Sequence, residues 1–306
     1  MSASILRRGL LVPVLVTGLG AAAVAQTGAK LQGFANPDAA AQAFTDAVRA
    51  KDAKALKAML GEAWVNSMMS NQDRADSQRQ SYLAAWDSKH AVPVTGGNRA
   101  KVQVGNDGWT FPVPIVKDGS EWRFDVASGI KEVQARQVGH DEYGAIQSLI
   151  AIVAAQNEYA ALDPMKTGWP QYARRLLSSP GLKDGLYWPT ALGEPPSPIG
   201  AELANSQYDG STPGSQFGYN FRLLYAQGPA AAGGAHDYIA DGRMIGGFAA
   251  IAWPVVYGVT GVMTFIVNYQ GFVYQQDLGP QTGQRALSIT SFNPDKGWQK
   301  ADTTAP

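Results

Sequence analysis

Apolar positions along this chain change period twice, and the changes divide it. In "NPDAAAQAFTDAVRAKDAKALKAMLGEAW", Ala40, Phe44, Ala47 and Val48 recur at steps of three and four, the spacing of one helix face. Asn36 followed by Pro37 supplies an N-cap and a first-turn residue. After the polar break Lys51-Asp52 a second short helix is predicted at 54–60, stopped by Gly61. "DRADSQRQSYLAAWDSKH" carries Tyr82, Leu83 and Trp86 at helical spacing. From Lys101 the period becomes two. "KVQVGNDGWTFPVPIVKDGSEWRFDVA" predicts three short strands, parted at Asn106-Asp107-Gly108 and Lys117-Asp118-Gly119-Ser120, where Asp-Gly pairs signal turns.

The helical period returns in "GHDEYGAIQSLIAIVAAQNEYAAL", with Ile146, Leu149, Ile150 and Val153 on one stripe and Gln147, Gln156, Asn157 and Glu158 off it. A shorter helix is predicted at 170–177, before the breaker Pro180-Gly181. The stretch 180–214 keeps no steady period and reads as mostly irregular, yet Leu186, Tyr187, Trp188 and Ile199 require it to pack down. Four strand patterns follow: "FGYNFRLLYA", "GGFAAIAWPVV", "GVMTFIVN" and "GFVYQQDL". Joined by Gly-rich turns, they predict one antiparallel sheet of local hairpins with the 146–153 helix on one face.

Within "GVMTFIVN", Met263, Phe265 and Val267 face one way and Val262 and Ile266 the other, around Thr264. Both faces are apolar, so this is an interior strand. Its second face is expected to lie under the proline-rich stretch or the first domain. The strand after Gly271 fades into Gln275, Gln276 and Asp277, the drift of a sheet edge.

Composition narrows the class. Basic and acidic residues number 25 each, so no whole-chain field attracts nucleic acid. Arg7 and Arg8, the run "GLLVPVLVTGLGAAAVA" and the site Ala23-Val24-Ala25 have the layout of a secretory signal peptide over 1–25, with Gln26 as the mature start. The alternative is an uncleaved anchor, though the run falls short of the ~20 residues a span prefers. The paired arginines also permit the twin-arginine route. No second apolar stretch of membrane length follows, and the chain has no cysteine, which excludes disulfides, thiol chemistry and iron–sulfur clusters. These features predict a periplasmic or secreted protein.

Two likenesses describe the architecture. Helices followed by a meander ending in "WRFD" are similar to the small cone-like α+β domains of the nuclear-transport-factor-2-like class. The helix "AIQSLIAIVAAQNEYA" followed by "GVMTFIVNYQGFVY" looks like the heads of type IV pilins and pseudopilins, although here the helix is internal and polar on one side. The predicted class is α+β: a cone-like domain at 31–130, then a pilin-head-like domain at 139–300 with a Pro/Gly-rich insertion at 180–214. More specifically, "FANPDAAAQAFTDAVRAKD", "WTFPVPIVKDG", "GHDEYGAIQSLIAIVAAQNEYA", "GLYWP" and above all "FRLLYAQGPAAAGGAHDYIADGRMIGGFAAIAWPVVYGVTGVMTFIVNYQGFVYQQDLG" resemble a bacterial exported family, domain of unknown function 2950. That resemblance implies export and shared architecture, and carries over no catalytic residue.

Candidate chemistry is sparse. The three histidines, His90, His140 and His236, lack metal-ligand spacing, and no cofactor motif appears. Asp87 and His90, three apart at a helix end, could form an acid/base pair or serve as a surface cap. Asp125 is a candidate base in a cone cavity or a strand-end turn residue. Trp86 and Trp109, with Phe44 and Trp122, either line that cavity or form the core. Tyr187 and Trp188 suit recognition of an envelope protein or a glycan, or else close the sheet. "SGIK" at 128–131 and "KTG" at 166–168 match fragments of penicillin-recognising enzymes but stand too close together for that domain. The leading expectation is a non-catalytic binding or assembly module. A hydrolase or isomerase using the first domain, and a minor pilin-like assembly factor, are the alternatives.

Overall fold

The computed structural model describes residues 30–68, 72–208, 210 and 215–304. The expected leader over 1–25 lies outside the described residues. Contacts divide the chain into two compact units between Gln137 and Val138.

The first unit opens with helices α1 (Pro37–Ala50), α2 (Ala53–Leu60), α3 (Glu62–Met68) and α4 (Gln72–Ser88). Asn36 is extended, and its side-chain oxygen accepts the Ala39 N–H at 2.8 Å, satisfying a donor that the first turn leaves open. Lys51 ends α1 in the left-handed region, and Asp52 at once caps α2, accepting from the N–H groups of Lys54 and Ala55, both at 3.0 Å.

The meander is more broken than its alternation suggests. Strands β1 (His90–Ala91), β2 (Val94–Thr95), β3 (Arg99–Ala100), β4 (Gln103–Val104), β5 (Trp109–Thr110), β6 (Ile115–Asp118) and β7 (Glu121–Phe124) form two antiparallel sheets, ordered β1-β4-β5 and β2-β3-β6-β7. Pro112 and Pro114 offer no ladder N–H between β5 and β6, so pairing cannot run through. Both Asp-Gly turns hold, with Gly108 and Gly119 at φ 72 and 65. The rings of Phe44 and Phe111 lie 4.6 Å apart, and Met59, Leu60, Trp86, Trp122 and Phe124 close the core around them.

Helix α5 (Val126–Leu162) runs unbroken for 37 residues, and the division of contacts falls inside it. It begins well before the periodic stripe at 146–153. Gly129 lies inside it where the helix meets Val113: a Cβ there would stand 2.7 Å from Val113 Cγ2.

The second unit contains β8 (Arg175–Leu177), β9 (Gly185–Tyr187), α6 (Ala201–Asn205), β10 (Tyr219–Leu224), β11 (Ala226–Gln227), β12 (His236–Asp237), β13 (Ile239–Ala240), β14 (Arg243–Met244), β15 (Ala249–Pro254), β16 (Met263–Asn268), β17 (Val273–Asp277), α7 (Thr282–Ser288) and β18 (Gln299–Lys300). Its main sheet is antiparallel in the order β10-β15-β16-β17-β18. The four expected strands pair as neighbours, and β18 adds a fifth, so β17 is not the edge. The helix expected at 170–177 is replaced by β8, which pairs in parallel with β9. The backbone there is engaged at long range: Gln156 takes Ala173, and Gln207 Oε1 accepts the Leu176 N–H at 2.5 Å.

Strand β16 is interior, between β15 and β17, and buried on both sides. Phe265 and Val267 join Leu149 and Ile152 of α5 in one core. Leu186, Trp188 and Ile199 lie in that same core, so the proline-rich stretch packs on the α5 side. Ile266 faces the other core, with Ile251, Trp253, Phe248, Ala286 of α7 and Phe292. Of the expected cover, the 180–214 stretch supplies Tyr208, edge-on to Trp253 with ring centroids 5.4 Å apart. Helix α7, the following turn and the 238–248 hairpin supply more of it, bringing apolar side chains to Ile251 and Ile266.

Candidate functional site

The groups singled out as acid or base each hold another hydrogen-bond partner, although Asp87 still lies within electrostatic reach of His90. Asp87 forms a two-pronged pair with Arg49, at 2.7 Å from Nη2 and 3.3 Å from Nη1. The Arg49 hydrogen bond holds the Asp87 carboxyl below its ordinary value. His90 stacks flat on Trp86, with ring centroids 3.9 Å apart, and its Nδ1 lies 3.0 Å from the Trp86 carbonyl. Asp125 caps α5, accepting the Ser128 N–H at 3.0 Å and the Ser128 hydroxyl at 2.6 Å.

The aromatic candidates have defined neighbours. Trp86 is buried beneath His90. The Arg136 guanidinium lies 5.8 Å from the centre of the Trp109 ring, held there by Glu132 and Thr110. Trp188 is buried edge-on to Tyr159, with Lys183 Nζ 5.3 Å from its ring, and Tyr187 packs partly buried against the same core. Among the described residues no three His, Asp or Glu side chains are grouped as a metal site would need, and no helix is long and apolar enough to cross a membrane.

The structure brings together a different set, on the β16 face opposite α5. After α7 the chain turns back over the sheet, and Ser288, Ile289, Thr290, Ser291, Asn293, Asp295 and Trp298, with Ile266 beneath, line an open pocket of about 220 Å³. Its walls are held by specific bonds. Arg222, on β10, donates from Nη2 to the carbonyls of Ala286 at 3.0 Å and Ile289 at 2.6 Å, tying down the end of α7. Burial lowers the Arg222 pKa from its ordinary value, and the Trp253 ring centre lies 6.0 Å from the guanidinium carbon. The Phe292 N–H donates to Ala226 and its carbonyl accepts from Gly228, each at 2.9 Å. Asn293 Oδ1 accepts the Ala230 N–H at 2.8 Å, and a Cβ on Gly228 would overlap Asn293. Asp295 Oδ1 accepts the Gly297 N–H at 3.0 Å, while its carbonyl accepts from Trp298 at 3.0 Å.

A family model described as a protein of unknown function, DUF2950, matches residues 31–301. The chain belongs to the DUF2950 family. No curated protein and no solved structure matches it. The matched stretch takes in every residue that lines the pocket, so the site lies within the DUF2950 domain itself.

The bonds that rigidify this DUF2950 pocket leave a defined remainder. Among the described residues the hydroxyls of Thr290 and Ser291, Asn293 Nδ2, Asp295 Oδ2 and Trp298 Nε1 have no protein hydrogen-bond partner. The pocket therefore offers both donors and acceptors, with an indole among its lining groups. Sequence reasoning passed over this segment. "SITSFNPDKGW" has the composition of a turn, and its one signal is a tryptophan directly after an Asp-Lys-Gly corner.

Proposed function

We propose that this protein is an exported binding module that takes a small ligand in the Trp298 pocket. The observation that carries the reading is the pocket itself: an open, mainly polar depression in which hydroxyl, amide and carboxylate groups without protein partners stand beside the partly exposed Trp298 indole. Binding sites combine an apolar surface with a few placed polar groups. The hydrogen bonds that tie Asp87 to Arg49 and Asp125 to Ser128 support a non-catalytic role, since general acid–base work needs its groups free to meet one reacting atom. Export is supported by the paired arginines, apolar run and Ala-Val-Ala site of the first 25 residues. Helices beside an antiparallel meander support the cone-like reading of the first unit, and α5 packed on the main sheet supports the pilin-head-like reading of the second.

Nuclear magnetic resonance of the ¹⁵N-labelled protein, titrated with fractions of a bacterial envelope extract, tests this. Resonances of 288–298 are expected to shift together, and Ser291→Phe, which fills the pocket, is expected to abolish the response. Shifts confined to other residues, or none with any fraction, would overturn the reading.

A further inference from the structure

We infer that the ligand of this pocket is a single neutral saccharide ring, an inference that rests on the binding reading above. The volume of about 220 Å³ lies below the ~300–1,000 Å³ of sites for drug-sized molecules. The pocket is open to solvent, so it seats one ring of about hexose size, and the rest of a larger ligand would extend outside it. The lining matches both aspects of such a ring. Its C–H face can rest on the partly exposed Trp298 indole, with dispersion and weak C–H contacts to the aromatic face. Its hydroxyls each donate one hydrogen bond and accept others, which the unpartnered Asp295 Oδ2, Asn293 Nδ2, Thr290 Oγ1 and Ser291 Oγ answer in kind.

Charge selects within that class. No Lys, Arg or His lines the pocket, and the α7 end beside it presents carbonyls, already held by Arg222. Phosphates and carboxylates are recognised through Arg, Lys or helix N-termini. Here they would meet the Asp295 carboxylate instead. Sugar phosphates and uronic acids are therefore expected to be excluded relative to the parent sugars.

Calorimetry and NMR with glucose, galactose, mannose and N-acetylglucosamine, each compared with glucose 6-phosphate and glucuronic acid, test the inference on the full chain. At least one neutral sugar is expected to bind and to shift 288–298, with the charged sugars weaker by about ten-fold or more. Asp295→Asn, which keeps the Oδ1 acceptor for Gly297, is expected to weaken the sugar by about ten-fold, and Ser291→Ala to weaken it less, both with unchanged melting. Trp298→Leu is expected to remove binding. Because Trp298 also packs against the core, the two polar variants decide if it fails to fold. Binding that favours the charged sugars, or that ignores both polar variants, would overturn the inference. If no sugar binds but envelope-extract fractions still shift 288–298, the saccharide assignment fails and the binding reading stands. If nothing shifts 288–298, both fail.

Discussion

Gln156 and Ala173 pair as two strands would: the buried Gln156 amide donates to the Ala173 carbonyl at 2.9 Å and accepts the Ala173 N–H at 2.8 Å. One side chain of α5 thus satisfies both backbone groups of a buried residue seventeen positions later. Gln156→Leu keeps the bulk and strands both groups, each at a cost of about 1–3 kcal/mol. A loss of roughly 2–4 kcal/mol in urea-induced unfolding is expected, with faster amide exchange at Ala173. An unchanged midpoint would refute the assigned role.

Glu142 performs a similar service at the other end of the sheet, where its Oε1 accepts the N–H groups of Val262 and Met263 at 2.9 and 3.0 Å. This fixes where β16 begins relative to α5. Glu142→Gln retains an acceptor and is expected to cost under ~1 kcal/mol, whereas Glu142→Ala leaves two amides without it and is expected to cost about 2 kcal/mol. Denaturation of the pair of variants under one set of conditions gives the comparison.

Gly144 leaves room for Phe217, whose φ of 51 holds it in the left-handed region. A Cβ at position 144 would sit 2.7 Å from Phe217 Cδ1, inside contact distance. Helix propensity favours alanine by about 1 kcal/mol, but overpacking costs about 1–3 kcal/mol, so Gly144→Ala is expected to be a net loss. Phe217→Gly removes the obstructing ring and suits the backbone, so the double variant should unfold at higher denaturant than Gly144→Ala alone. Simple additivity of the two changes would contradict the contact.

Tyr159 donates to the Lys183 carbonyl at 2.6 Å, and burial, then the charges of Asp184 and Asp163, push its pKa up to about 12 from the ordinary 10.0. The folded state holds the neutral phenol. Its contribution is therefore intact below pH 10 and is lost as pH rises from 10 towards about 12. Unfolding free energy measured across that window is expected to fall more steeply for the wild type than for Tyr159→Phe. Parallel curves would remove the linkage.

Much of the fold is legible where short-range rules act. The caps at Asn36 and Asp52, the Asp-Gly turns at Gly108 and Gly119, and the two-faced apolar pattern of β16 all read directly from neighbouring residues. Long-range partners decide the rest. The backbone at 173–177 is strand-like because Gln156 and Gln207 claim its donors, and neither is local. The first turns of α5 lie outside the 146–153 stripe, and Gly129 among them sits where the helix approaches Val113. The pocket has no periodicity to read, since Ile266 meets residues 288–298 only after the chain has passed through β17 and α7. Its tryptophan looks like any other after a turn, and the tryptophan at 188 that attracted attention lies in the core.

The unbroken course of α5 has a practical consequence for dissection. The boundary between the units falls at Gln137 and Val138, in the middle of a helix rather than in a linker. A fragment cut there would end in four carbonyls, or begin with four N–H groups, that the intact helix satisfies internally. Fragments for separate expression should instead overlap, 30–162 and 126–304, each carrying all of α5, so that failure of either to fold reports on its own core rather than on a severed helix.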